Sequence, residues 1–407
     1  MDGKRLLHSL RLENFLSYGP ESVQLELEPL NILIGQNASG KSNLIQAIEL
    51  LCFTPVNLSL PILGGGGVEE WICKGGSEPI DKSVARMTAS VDYPERGNAL
   101  RHSLAFASMS QRFWVTDERV EIDISGYRPD LPTAYYKYQN GRPTAASLKQ
   151  SVDSRGHIVL EGWEEKPLSG VKSDQSILSQ RNDPDSYPAL SYLAEQYRSI
   201  KIYRNFNFDG PNSMRRAQQP DLPIDFLEED GRNLSLVLND LQHQGALDMI
   251  VEKLKAVYED VESINVRVAG GTVQTFLRER GLSSSIPAAR LSDGTLRYLC
   301  LLTILYHPSP PPLICLEEPE IGLHPDLISS LAEMLKEASQ RTQIIVTTHS
   351  DLLVSKFSDQ PEAVVVCERT PTGTTLKRLE AKALEGWLEE YSLGEVWLKG
   401  GIGGTRW

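Results

Sequence analysis

The residues best equipped for chemistry lie near the start of the 407-residue sequence, where Gly35-Gln36-Asn37-Ala38-Ser39-Gly40-Lys41-Ser42 fits the pattern GxxxxGK[ST]. Glycines at that spacing let backbone N–H groups curl around phosphates, the lysine reaches the outer phosphates, and the closing hydroxyl ligates Mg2+. Gly35 through Ser42, with Asn43 beside them, is therefore the expected nucleotide-binding segment, and Ser42 is an expected metal ligand. The ligand class this implies is a nucleoside triphosphate.

A second group is Leu313-Ile314-Cys315-Leu316-Glu317-Glu318, an apolar strand ending in two carboxylates and running into Pro319-Glu320-Ile321-Gly322-Leu323-His324-Pro325. A strand lying beside the glycine-loop strand would deliver Glu317 to a magnesium shell and Glu318 to an attacking water. In Leu291-Ser292-Asp293-Gly294-Thr295-Leu296-Arg297 a Ser-x-Gly turn opens a helix, where a hydroxyl and amides can hold a phosphate, although Ser292 also reads as a plain N-cap. His349 follows the strand Gln343-Ile344-Ile345-Val346-Thr347-Thr348. At the carboxyl end of a core strand it can sense or polarise a γ-phosphate.

These groups need elements to position them. Leu30–Ile34 is a short apolar strand running into Gly35, and from Gly40 to about Cys52 the apolar spacing turns helical, giving strand, loop and helix. Alternating runs at Leu6–Leu12 and Val23–Leu27 precede it. From 53 to 203 short strand-like stretches at 83–93, 119–124, 133–138 and 157–160 read as an inserted, mainly β lobe, with Gly64–Gly67 a flexible turn. Residues 204–289 read as a mainly helical insert with short strands, and 290–380 alternates helix and strand as in a parallel α/β sheet. The expected core is thus 1–52 with 290–380, followed by a tail, 381–407, whose Trp397 and Trp407 point to docking on the head or a partner, the head being favoured.

Composition sets the outer limits. With 40% hydrophobic and 23% charged residues the chain is too apolar to be disordered. No apolar run approaches the ~18 residues of a membrane span, and the N-terminus lacks a signal-like apolar stretch, so a cytoplasmic protein without membrane contact is expected. Five scattered cysteines without a CxxC pair read as reduced core residues. A net charge of −13 argues against indiscriminate coating of nucleic acid and leaves a local basic groove open.

In their order along the chain, glycine loop, Ser-x-Gly helix, acidic strand and strand-His resemble the ABC-type ATPase head shared by RecF, the structural maintenance of chromosomes proteins and the OLD (overcoming lysogenisation defect) family. The resemblance is greatest to compact bacterial ATPases near RecF and OLD, whose acidic strand likewise runs into Glu-Glu-Pro-Glu and Gly-Leu-His-Pro; Asn14-Phe15 fits their opening pattern. It implies an α/β P-loop NTPase fold with an antiparallel β lobe and a helical insert between Walker A and signature. It further implies that Ser292, Asp293 and Gly294 act as a signature in trans, Glu317 and Glu318 as Walker B and catalytic carboxylates, Pro319–Pro325 as a D-loop and His349 as a switch histidine. A Q-loop glutamine would join the metal, with Gln175 and Gln180 as candidates. Glu317 stands where Asp is usual, and Asp293 where a glycine is usual.

The same resemblance implies ATP and Mg2+, and a head-to-tail homodimer holding each ATP between one P-loop and the other signature. Ser292 lies about 250 positions after Lys41, much farther than in an ABC transporter, and the gap carries no heptads of a chromosome-maintenance arm. Only 58 residues follow His349, so nuclease chemistry is expected from a separately encoded Toprim-type nuclease or another effector. Two functions follow. One is an ATPase of DNA repair or anti-phage defence that clamps double-stranded DNA or controls such an effector, with Arg215, Arg216 and the basic residues over Arg181–Arg204 as candidate contacts against the plainer reading of a solvated surface. The other is a nucleotide-gated protein-binding module, with slow hydrolysis as a timer and no DNA role.

Overall fold

The computed structural model describes residues 3–75, 83–94, 98–123, 132, 134–139, 141–152, 158–210 and 213–404; Ile124, Thr133, His157 and Trp407 fall outside them. Strands β1 (Leu7–Glu13), β2 (Val23–Glu26) and β3 (Leu30–Ile34) lead into helices α1 (Lys41–Phe53), α2 (Ser59–Gly64) and α3 (Val68–Trp71). Longer strands follow: β4 (Val84–Tyr93), β5 (Asn98–Met109), β6 (Arg112–Asp123), β7 (Ala134–Gln139), β8 (Arg142–Val152) and β9 (Ile158–Pro167). Then come α4 (Ile177–Gln180), α5 (Pro188–Ser199), β10 (Lys201–Tyr203), α6 (Leu234–His243), α7 (Leu247–Lys255), β11 (Val261–Ala269), β12 (Thr272–Glu279) and β13 (Ile286–Pro287). The last stretch holds α8 (Asp293–Leu305), β14 (Leu313–Glu317), α9 (Leu327–Ala338), β15 (Gln343–Thr347), α10 (Asp351–Ser355), β16 (Val364–Thr370), β17 (Gly373–Arg378), α11 (Ala381–Leu388) and α12 (Leu393–Leu398).

The central sheet has the order β10-β14-β15-β3-β16-β17 and is parallel except for the β16–β17 hairpin. Its middle strands β3 and β15 are buried along their whole length, which explains their unbroken apolar sequence. Alternate side chains feed two cores. Leu33, Cys315, Ile345 and Val365 face α1, α5 and the antiparallel strands, while Ile32, Ile314, Ile344 and Val364 face α6 to α10 and the tail.

The sheets redraw two of the expected boundaries. β1 and β2 leave the parallel core and extend the antiparallel lobe, whose order is β2-β1-β4-β5-β6-β7-β8-β9. Their alternation, with Leu7, Leu10 and Leu12 buried and Arg11 exposed, is that of a half-buried antiparallel strand. Conversely β10, placed by the sequence in the inserted lobe, is an edge strand of the parallel sheet beside β14. The two sheets are joined by the buried amide of Gln343, whose Oε1 accepts from the Leu6 and Leu7 N–H groups (3.1 and 2.9 Å) and whose Nε2 donates to the Leu7 carbonyl (2.8 Å).

Tail residues up to Gly404 pack on the head. Trp397 is buried and its indole N–H donates to the Gly404 carbonyl at 2.7 Å, while the Gly404 N–H donates to Glu368 at 2.6 Å. None of the five cysteines is in a disulfide, and Cys73, Cys300, Cys315 and Cys367 are buried. Among the described residues no helix is long and apolar enough to cross a membrane.

Candidate nucleotide site

The glycine loop turns between β3 and α1 through left-handed backbone at Ala38 (φ 61°) and Gly40 (φ 103°), with Gly35 at φ 148°. A Cβ on Gly35 would stand 2.2 Å from the Cys367 carbonyl oxygen, and one on Gly40 2.4 Å from Thr374 Oγ1, so both positions need glycine. Tyr18, fully buried, donates its hydroxyl to the Gly40 carbonyl at 3.0 Å, and Thr374 Oγ1 donates to the Ser39 carbonyl at 3.0 Å. These clamps fix the loop from below. Gly40 is the N-cap of α1 and supplies no side-chain cap, so the first N–H groups of the helix stay open to an anion.

Two features of the loop fit a phosphate chain. Ser39 Oγ is buried without a hydrogen-bond partner among the described residues, and Lys41 folds back so that Nζ donates to the Gly35 and Gln36 carbonyls at 2.9 and 2.8 Å. Burial lowers the Lys41 ammonium from its ordinary value, with the Cys367 and Glu318 side chains opposing. Ser42, in the first turn of α1, and Glu317, the last residue of β14, carry hard oxygen donors of the kind that suit Mg2+. Next to the loop, a cavity of about 380 Å³ is lined by Leu16, Ser17, Asn43, Ile72, Lys74 and Thr372.

The acidic strand is not the neighbour of the glycine-loop strand. β15 lies between β14 and β3, so the carboxyl edge presents Glu317-Glu318, then Thr348-His349, then Gly35. Glu318 takes a left-handed conformation (φ 47°) with its N–H bonded to the Thr347 carbonyl at 2.9 Å, a strained geometry for a non-glycine residue. His349 Nε2 lies 3.7 Å from Glu318 Oε1. Glu320, beyond them, accepts from Thr348 Oγ1 at 2.5 Å and from the His349 N–H at 3.3 Å, and burial raises its carboxyl above the ordinary range.

Ser292 caps α8, its Oγ accepting from the Thr295 N–H at 3.1 Å, and it is exposed. Gly294 packs so that a Cβ would meet the Gly322 carbonyl at 3.0 Å. Asp293 pairs with Arg215, which also donates to the Leu291 carbonyl. That contact accounts for the acidic residue at a position where glycine is usual, and it takes Arg215 away from the role of a free DNA contact. Arg181 and Arg198 are likewise bonded to carbonyls, of Ser169 and Pro55.

Gln175 does not reach the metal position. Its amide accepts from the Leu58 N–H (3.1 Å) and donates to Asn57 Oδ1 (2.7 Å) and Ser59 Oγ (3.3 Å), past the far end of α1. Gln180 donates to the Lys172 and Gln175 carbonyls instead. At the acidic strand end the structure places Arg204 and Asn205, carried there by β10, with Arg297 from α8. Together with Glu317, Glu318 and Ile321 they line a cavity of about 230 Å³. The Arg297 guanidinium sits 5.6 and 5.4 Å from the ring centres of Phe206 and Phe208. The sequence marks Arg204 as the end of a basic stretch offered to DNA and as the residue after a strand, whereas the structure commits its guanidinium to Glu317 and Glu49.

A family profile described as "AAA domain, putative AbiEii toxin, Type IV TA system" matches residues 164–355, and a second, "AAA domain", matches 9–66. The chain is 22% identical to the Old nuclease of Escherichia phage P2, over 93% of this chain and 62% of that protein. It is 32% identical to the DNA replication and repair protein RecF of Lactococcus lactis subsp. cremoris (strain SK11), over 22% of this chain and 25% of that protein. The chain thus spans less than two thirds of the length of both relatives. A solved SMC head bound to the C-terminal winged-helix domain of ScpA superposes with a TM-score of 0.52 at 14% identity, covering 93% of this chain and 99% of that one.

Proposed function

We propose that this chain, a RecF/OLD-like ABC-type ATPase, binds ATP with Mg2+ in the glycine-loop site and hydrolyses it between two copies arranged head to tail. One observation carries the reading: the adjacent parallel strands β14, β15 and β3 deliver Glu317-Glu318, His349 and the glycine loop to a single edge. The loop amides and Lys41 hold the β- and γ-phosphates, and the cavity beside Asn43 and Ser17 takes the nucleoside. Ser42 and Glu317 hold the metal, which when bound draws charge from the phosphate oxygens. Glu318 orients the attacking water and accepts its proton, and His349 faces the same water from the next strand.

A second copy is called for by the α8 N-terminus, where Ser292 and Asp293 are exposed, and by Ile321, an apolar side chain 53% exposed in the turn beyond Glu318. The likeness to Old nuclease and RecF favours a DNA-linked role in the cytoplasm, in repair or anti-phage defence, with a separate Toprim-type nuclease as the kind of effector controlled. The test is ATP hydrolysis by the purified chain with and without linear duplex DNA, with Glu318→Gln as the blank. Turnover in the wild type, abolished in the variant and raised by DNA, supports the whole reading. Turnover indifferent to DNA turns the role into that of a nucleotide-gated protein-binding module. Undiminished turnover in Glu318→Gln removes Glu318 from the chemistry.

A further inference from the structure

Arg204 stands between the two halves of the proposed site. Its Nε donates to Glu317 Oε1 at 2.6 Å, and its two terminal nitrogens donate to Glu49 Oε1 and Oε2 at 3.0 and 2.8 Å. The pairing with Glu49 is the two-pronged fork that only guanidinium offers a carboxylate. Glu49 belongs to α1, the helix whose first turn cradles phosphate, and Glu317 ends β14. One side chain therefore ties the glycine-loop helix to the acidic strand at the mouth of the 230 Å³ cavity.

The charges have a consequence. A lone arginine on Glu317 would neutralise the carboxylate that the metal needs. Glu49 prevents this: two carboxylates share one guanidinium, so Arg204 is not spent on Glu317 alone while one Glu317 oxygen is fixed in direction. With Oε1 occupied by Arg204, Glu317 Oε2 is the oxygen left for a cation.

We propose that Arg204, held by Glu49, is the positioning residue that orients Glu317 toward Mg2+ and so couples metal affinity to the glycine-loop helix. The inference rests on the ATP-Mg2+ reading above and adds to it the residues behind the metal ligand. Groups that orient a ligating carboxylate typically contribute about 10–100-fold in metal affinity. The loss falls on the metal complex and spares the metal-free nucleotide, because the loop amides and Lys41 are untouched.

The experiment measures binding of a fluorescent ATP analogue to the full chain, once with Mg2+ and once with EDTA, in wild type, Arg204→Gln, Arg204→Lys and Glu49→Gln, with the melting temperature of each. Wild type is expected to bind the Mg2+ complex more tightly. In Arg204→Gln that advantage falls by about 10-fold or more while EDTA binding is unchanged. Arg204→Lys recovers part of it, since charge returns without the fork. Glu49→Gln, which keeps Arg204 and alters a carboxylate on the helix surface, moves the advantage in the same direction and carries the test should Arg204→Gln not fold. An unchanged Mg2+ advantage in Arg204→Gln or Glu49→Gln overturns the proposal, as does a tighter metal complex in Arg204→Gln, which would make Arg204 an obstacle to the cation. Should wild type bind no nucleotide in either condition, the ATP reading falls and this inference with it, an outcome distinct from the loss of the Arg204 role alone.

Discussion

His349 Nε2 and Glu318 Oε1 are 3.7 Å apart, too far for a hydrogen bond and close enough to face one reacting group from two strands. The Glu320 carboxylate holds the His349 backbone N–H at 3.3 Å, so the imidazole is presented by a braced loop. General acid–base groups contribute about 10²–10⁴-fold to a rate. Glu318→Gln is expected to lose turnover on that scale and His349→Ala about 10–100-fold, both with ATP affinity within a few-fold of wild type. Steady-state kinetics with equilibrium binding checks this, and an intact kcat in His349→Ala removes the histidine from the site.

Lys41 makes the opposite case. Its ammonium donates to the Gly35 and Gln36 carbonyls, so the side chain is already parked at the mouth of the loop. In Lys41→Ala nucleotide affinity is expected to drop by about 10-fold or more, roughly the 1.5–3 kcal/mol of a charge-assisted hydrogen bond. Calorimetric titration with ATP reads this directly, and wild-type affinity would contradict a phosphate role.

Glu320 ties pH to stability. Burial raises its folded-state carboxyl above the ordinary 4.5, and the neighbouring Glu318 charge adds to the rise. Between the ordinary value and the raised one the folded chain binds more protons than the unfolded chain, so this residue's contribution to stability falls as pH rises through that window. Glu320→Gln carries no such titration. The difference in melting temperature between wild type and variant should move in the variant's favour as pH climbs above about 4.5. A difference that stays flat across that range would refute the assignment.

Away from the site, Glu118 is a buried carboxylate that accepts from Ser176 Oγ (2.5 Å) and the Ile177 N–H (2.9 Å) and stands 3.2 Å from His102 Nε2. It fastens the antiparallel sheet to α4. Glu118→Ala strands three polar groups in an apolar interior and is expected to cost about 3–5 kcal/mol in urea unfolding. A loss below about 1 kcal/mol would mean that the pocket rearranges or admits water.

The reach of the sequence can be judged from particular residues. Gly35–Ser42, Glu317-Glu318 and His349 were legible because each joins a local strand or helix pattern to a residue type with narrow chemistry. The clamps Tyr18 and Thr374 were not, because their bonds span 22 and 335 positions and leave no periodic trace. β10 escaped its sheet assignment for a similar reason: three residues are too few to show whether a strand pairs in parallel or antiparallel fashion. The strands β5 and β8 leave little trace in the sequence because Ala, Ser, Lys and Gln interrupt their alternation. Gln175 has only its residue type to suggest a metal, and the fold spends its amide on the loop after α1.

The place of β3 in its sheet bears on how the chain is made. β3 ends at Ile34, yet its partners on either side, β15 and β16, begin at Gln343 and Val364. A nascent chain therefore exposes the glycine loop on an unpaired strand while roughly 300 further residues are translated, about 15–60 s at usual elongation rates. Until then the strand that carries the loop has no sheet to join, and ATP has no finished site to enter. The site is thus finished only once β15 and β16 have emerged, and a ribosome-stalled fragment lacking them should be blind to ATP however well its antiparallel lobe has formed.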